Sequence, residues 1–235
     1  MQVLVSVHSV PEVELVLAAG ISLIDLKETS HGALAALDLT TSKAIVVAVN
    51  QYRQQTSQTN IAISATVGDD CDSPTTLHQR IDDRLHIGVE VIKLPEAIWA
   101  QLAYQATIDH FLKLGVPLIA VMTPASMAAN HMHEQLKWLA QQKYWGVMVD
   151  TQDKSNTLTA LVSISALQAF VQVAKSLGLF VGIAGGLQLT HFETLAALNP
   201  DYLGFRSGLC AQGQRAQALL PEKVDALASR VSQIC

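Results

Sequence analysis

Two periodicities alternate along the chain. Runs of five to seven mostly apolar residues, rich in Val and Ile, recur at 3–8, 22–27, 61–67, 89–94, 117–122, 146–150, 179–185 and 202–206. Such runs predict β-strands. Between them lie stretches with helical spacing and helix punctuation. "PEVELVLAAG" opens on Pro and ends in Gly, and "PEAIWAQLAYQATIDHFLKLG" repeats that grammar as one long predicted helix. "TLHQRIDDRLH", "NHMHEQLKWLAQQK", "SISALQAFVQVAKSLG", "THFETLAALN" and "PEKVDALASRVSQI" are further predicted helices. The stretch 38–54 is expected to hold the second helix, although its "AIVVAVNQY" also has strand character.

Eight strands alternating with helices over 235 residues predict a (β/α)₈ TIM barrel formed by a single domain, 1–235. A doubly wound open sheet is the alternative. It would favour fewer strands and a glycine-rich first turn, whereas "SVHSVPE" after the first strand contains no glycine.

Side chains alternate across a strand. If the apolar set faces the helices, Leu23, Asp25 and Lys27 point into the barrel from strand two. The same count turns Ser64 and Thr66 inward from strand three, Lys93 from strand four and Asp150 from strand six. Lys154 follows in the loop "TQDKSN", and Arg206 closes strand eight. Strand ends of such a barrel converge on the mouth where ligands bind, so Asp25, Lys27, Lys93, Asp150 and Lys154 form a candidate catalytic set. Structural ion pairing is the plain alternative for any one pair. It explains the coincidence of several strand ends less well, because buried charge is a poor device for stability alone.

Clustered lysines permit two chemistries. Desolvation and neighbouring cations depress an amine's pKa, and a freed amine can form a Schiff base with an aldehyde or ketone. Lysines that stay charged can instead hold an anionic substrate, and the residues leave these roles open. Gly185 and Gly186 after strand seven, and Arg206, Ser207 and Gly208 after strand eight, fall where barrels often hold phosphate. With Ser64 and Thr66 they form the candidate substrate- and phosphate-binding set.

Composition narrows the field. Half the residues are hydrophobic, 15% are charged and the mean hydropathy is +0.29, which suits a sheet covered on both faces. The net charge of −5, with no basic tract, argues against a nucleic-acid partner. There is no apolar run long enough to span a membrane and no signal-peptide pattern, so a cytoplasmic protein with a small phosphorylated substrate is expected. The three cysteines, Cys71, Cys210 and Cys235, are read as reduced thiols, and Cys210 as a packing residue. A His-x-His pair in "HMHE" points its rings apart on a helix, so no metal is expected. The oligomeric state is open, although such barrels often assemble through helix faces.

The motifs together resemble the (5-formylfuran-3-yl)methyl phosphate synthase family. "IDLKETSHGALAA", "SATVGD", "VIKL", "MVDTQDK" and "FRSGLCAQGQR" carry the likeness, in order, along most of the chain. The resemblance implies a TIM barrel that condenses two molecules of glyceraldehyde 3-phosphate to a phosphorylated furan aldehyde for a methanofuran-type cofactor. It implies a Schiff base on Lys27, proton acceptance by Lys93, and supporting roles for Asp25, Asp150 and Lys154, with no metal or organic cofactor. The chain departs from the family pattern at Thr29, at Pro95, in "MTPAS" and at Gln212-Gly213-Gln214-Arg215. Another phosphosugar aldolase or isomerase, or a non-catalytic barrel that binds a phosphorylated metabolite, are the alternatives.

Overall fold

A computed structural model describes residues 1–30, 32, 34–128, 130–152 and 156–233. Its centre is a closed barrel of eight parallel strands in chain order. They are β1 (Gln2–Val7), β2 (Leu23–Leu26), β3 (Ala62–Thr66), β4 (Val91–Pro95), β5 (Leu118–Met122), β6 (Gly146–Val149), β7 (Phe180–Ile183) and β8 (Tyr202–Phe205). Each lies within the apolar run that predicts it, or within a residue of it. The barrel closes by pairing Gln2 through Val5 of β1 with Tyr202 through Phe205 of β8.

Parallel strands need crossovers, and the intervening segments supply helices that cover the outside. The larger apolar core lies between sheet and helices, where Val5, Ile24, Ile63, Ile92, Val147 and Val181 are fully buried. A second, smaller core fills the barrel lumen with Leu4, Val91, Ile119, Met148 and Tyr202. Alternation along each strand feeds both cores, which is why the runs look continuously apolar.

The ambiguous stretch is a helix, Leu39–Thr56, capped by Asp38, whose carboxylate accepts from the Thr41 amide at 2.8 Å. The stretch read as one long helix is two, Glu96–Trp99 and Leu102–Lys113, parted by an extended Gln101. The break resets the buried face. Ile98 and Trp99 are buried, then Tyr104, Ile108 and Phe111, a phase that one continuous helix cannot keep. Trp99 is further pinned by its indole N–H, which donates to the Val121 carbonyl at 3.0 Å. No helix among the described residues is long and apolar enough to cross a membrane.

Candidate active site

Strand register assembles the site. Asp25 pairs with Ser6 on β1 and with Ser64 on β3, so three polar side chains sit abreast inside the barrel. Ser6 Oγ donates to Asp25 Oδ2 at 2.9 Å, and Ser64 Oγ to Asp25 Oδ1 at 2.7 Å. Lys93 Nζ completes the cluster at 2.8 Å from Asp25 Oδ1. One level nearer the mouth, Lys27 Nζ lies 3.2 Å from Asp150 Oδ2. Two buried lysines thus each face a carboxylate of their own, at the C-terminal ends of β2, β4 and β6.

Lys93 is 2% exposed. Burial is the main cause that pushes its amine below the ordinary lysine value, and the Lys27 ammonium pushes the same way. The Asp25 carboxylate opposes both by favouring the charged form. Lys154 lies outside the described residues.

The phosphate candidates divide by what their polar atoms do. Gly185, Gly186 and Ser207 line the cleft together with Lys27, Lys93 and Asp150. Gly185 has φ +114°, and a Cβ there would stand 2.8 Å from the Thr151 methyl, so only glycine lets the β7 loop turn against the β6 loop. Gly208 is buried against the Leu187 carbonyl and joins the β8 loop to the β7 loop. Ser64 is spent on Asp25. Thr66 Oγ1 donates to the Leu34 carbonyl at 2.7 Å and accepts from the Gly68 amide, which ties down the β2 loop.

Arg206 differs most from its sequence reading. Nε donates to Arg215 O; Nη1 donates to Ser6 O and to Glu12 Oε2, the latter at 2.6 Å; Nη2 meets Gln217 O and His8 Nδ1. A guanidinium has five N–H donors, and all five are engaged within the protein. Its side chain staples β8 to β1 and the helix Val10–Ala18. Arg206 and Arg215 both line the cleft, but Arg215, which sequence reasoning did not select, has donors beyond those given to the protein. It lines the charged cleft and also a neighbouring cavity of about 420 Å³ bounded by Asn156, Thr157, Gly186, Gln188 and Ser207. Its guanidinium donates to the carbonyls of Glu28 and Gly32 and so clasps the β2 loop.

Cys210 is fully buried, and burial pushes its thiol up, away from the reactive thiolate. Cys71 and Cys210 are both unbridged. Among the described residues no group of three or more His, Cys, Asp or Glu side chains is arranged to hold a metal.

Comparison with known proteins places the chain in a family. The family model described as 4-HFC-P synthase matches residues 3–228. The chain belongs to that family. It is 35% identical over 224 residues to a protein of Methylorubrum extorquens provisionally named (5-formylfuran-3-yl)methyl phosphate synthase, covering 93% of this chain and 86% of that one. It is 28% identical over 234 residues to (5-formylfuran-3-yl)methyl phosphate synthase of Archaeoglobus fulgidus, covering 95% and 96%. Among solved structures, phosphoribosyl anthranilate isomerase from Thermus thermophilus matches over the whole of both chains with a TM-score of 0.66 at 15% identity, a likeness of fold alone.

In this 4-HFC-P synthase family member, Thr29, Pro95 and the "MTPAS" turn each have a defined structural part. Thr29 is buried, and its Oγ1 meets His8 Nδ1 at 3.3 Å, linking the β2 loop to the Arg206 network. Pro95 ends β4 and starts the helix Glu96–Trp99. Glu96 then serves the "MTPAS" turn across the barrel rim, accepting from the Thr123 amide at 3.0 Å and from the Ser126 hydroxyl. The carboxylate at that turn therefore comes from the neighbouring strand end.

Proposed function

We propose that this protein condenses two molecules of glyceraldehyde 3-phosphate to (5-formylfuran-3-yl)methyl phosphate, with loss of phosphate and water, for a methanofuran-type cofactor. The observation that carries the reading is the pair of buried lysine–carboxylate contacts, Lys27–Asp150 and Lys93–Asp25, in a cleft walled by the β7 and β8 loops. The names of the protein's relatives support the product, and the resemblance in the motifs supports the substrate.

Lys27 is the Schiff-base residue. It lines the more open part of the cleft, and Asp150 at 3.2 Å is placed to take a proton from its ammonium. The neutral amine adds to the aldehyde carbon, water leaves, and the resulting iminium draws electrons from the adjacent carbon. Lys93 accepts the proton released there. A proton acceptor must start neutral, and burial favours that state. Asp25, held by Ser6 and Ser64, fixes the Lys93 amine in place and pairs with the ammonium that forms when Lys93 takes the proton. Arg215, Ser207 and the amides around Gly186 bind the phosphate at the cleft edge. Lys154 is assigned a supporting role from its place in the family motif.

Borohydride reduction during turnover tests the reading. A mass equal to the reduced substrate adduct is expected on Lys27, located by peptide mapping, and Lys27→Ala should lose both the adduct and the furan chromophore. Furan aldehyde formed by Lys27→Ala at the wild-type rate would overturn the assignment.

A further inference from the structure

The floor of the charged cleft is aromatic. Tyr202, the first residue of β8, points into the lumen, is 1% exposed, and lies beneath Lys93, whose Nζ is 6.0 Å from the ring centroid. Its hydroxyl touches the Met148 sulfur at 3.2 Å. Phe180 on β7 stacks against it at 5.4 Å between centroids, and Trp145, just before β6, stacks on Phe180 at 4.4 Å. Trp145 is 42% exposed, so this column runs from the surface to the lysine. The fold makes room for it at one position. Gly182 is the register partner of Tyr202 across β7 and β8, and a methyl group there would overlap the tyrosine ring.

We propose that Tyr202, seated over Gly182, is a positioning residue that seals the barrel floor under Lys93, keeping water from its amine and so keeping it the proton acceptor. The proposal rests on the role given to Lys93 above. Among the described residues, the ionisable groups around Lys93 are Asp25 and Lys27 from the end of β2, Asp150 from the end of β6, and Tyr202 from β8. The two carboxylates favour the ammonium, Lys27 opposes it, and burial opposes it most. The face of an aromatic ring also favours a cation, but 6.0 Å is the outer limit of that attraction. Exclusion of water therefore outweighs it, and removing the ring should raise the lysine's pKa. The tyrosine hydroxyl is not a proton donor to the reaction, because burial and the Asp25 and Asp150 carboxylates push it well above its ordinary value. The ring is the part that matters.

The test uses Tyr202→Phe, Tyr202→Leu, Gly182→Ala and the double variant Gly182→Ala/Tyr202→Leu. Two readouts are taken: kcat/KM for glyceraldehyde 3-phosphate against pH, and the ¹⁵N titration of Lys93 Nζ in ¹⁵N-lysine-labelled protein. Tyr202→Phe should leave both unchanged. Tyr202→Leu should lower kcat/KM about tenfold near neutrality, with the deficit closing at alkaline pH, and should move the Nζ midpoint up by the matching amount. Gly182→Ala, which displaces the ring while keeping the tyrosine, should move both in the same direction and serves where Tyr202→Leu does not fold. The double variant, whose added methyl refills part of the space, should recover part of the loss.

An unmoved Nζ midpoint in a cooperatively folding Tyr202→Leu or Gly182→Ala protein overturns the seal. So does a Tyr202→Phe shift as large as that of Tyr202→Leu, which would assign the effect to the hydroxyl. A midpoint that moves while the rate profile stays put supports the seal and removes Lys93 from the role of proton acceptor.

Discussion

Two arginines nine positions apart in sequence divide the labour of the mouth. Both line the cleft, but Arg206 has no donor left for a ligand, whereas Arg215 gives two of its five to loop carbonyls. Arg206→Lys keeps the charge but cannot reproduce the fork, and leaves buried Glu12 short of its partner. It should cost roughly 2–4 kcal/mol in urea unfolding, with little change in KM for the folded fraction. Arg215→Ala should do the reverse. Stability should fall little, and KM should rise about tenfold, the worth of one charge-assisted contact. A large KM effect from Arg206→Lys in well-folded protein would contradict this division. The difference was not legible in the sequence. Strand alternation told which side chains enter the barrel, and so found Asp25, Lys27, Lys93 and Asp150. It could not tell how many donors of Arg206 the protein itself consumes, because those acceptors come from residues 6, 8, 12, 215 and 217. The one sequence signal that could have pointed to Arg215 was a second arginine in the same mouth loop.

The elements follow local rules where those rules are strong. Parallel strands buried on both faces give dense Val and Ile runs, and all eight were found within about two residues at each end. The helix Leu39–Thr56 was the hard case, since "AIVVAV" is as apolar as a strand. Its N-terminus resolves the ambiguity, because Asp38 accepts hydrogen bonds from Thr41 that also hold its carboxyl below the usual value. Asp38→Ala should cost about 0.5–1 kcal/mol near neutrality, the low end for an exposed cap. The folded-state pKa lies below the unfolded one, so this contribution is present above about pH 4 and fades as the pH falls through the folded value. Urea melts of the wild type and Asp38→Ala should therefore converge in acid. A constant gap across pH would mean that the carboxylate is not the capping group. The break at Gln101 obeys no local rule. It follows from the phase of burial against β4 and β5, which only the assembled barrel sets.

Over the whole molecule the seams of the barrel are unequal. Most neighbouring strands align four register pairs, whereas β7 and β8 align two, Gly182 with Tyr202 and Ile183 with Leu203. A short ladder opens at lower free energy. Native-state hydrogen exchange should find the amides of this seam exchanging before those between β4 and β5, and equal protection around the barrel would refute the idea. The same seam holds the tyrosine floor, so the stiffest demand on the site falls on the least extensively paired part of the sheet.

The staple through Arg206 joins groups separated by about two hundred positions, from Ser6 and Glu12 to the end of β8. A ribosome delivers the first of these long before the last. Without β8, which carries Tyr202 and leads into Arg206, β1 and β7 have no strand between them and the barrel does not close. Strand β8 is the last to join the sheet in chain order, so the closed lumen around Asp25 and Lys93 depends on the strand farthest from them in sequence.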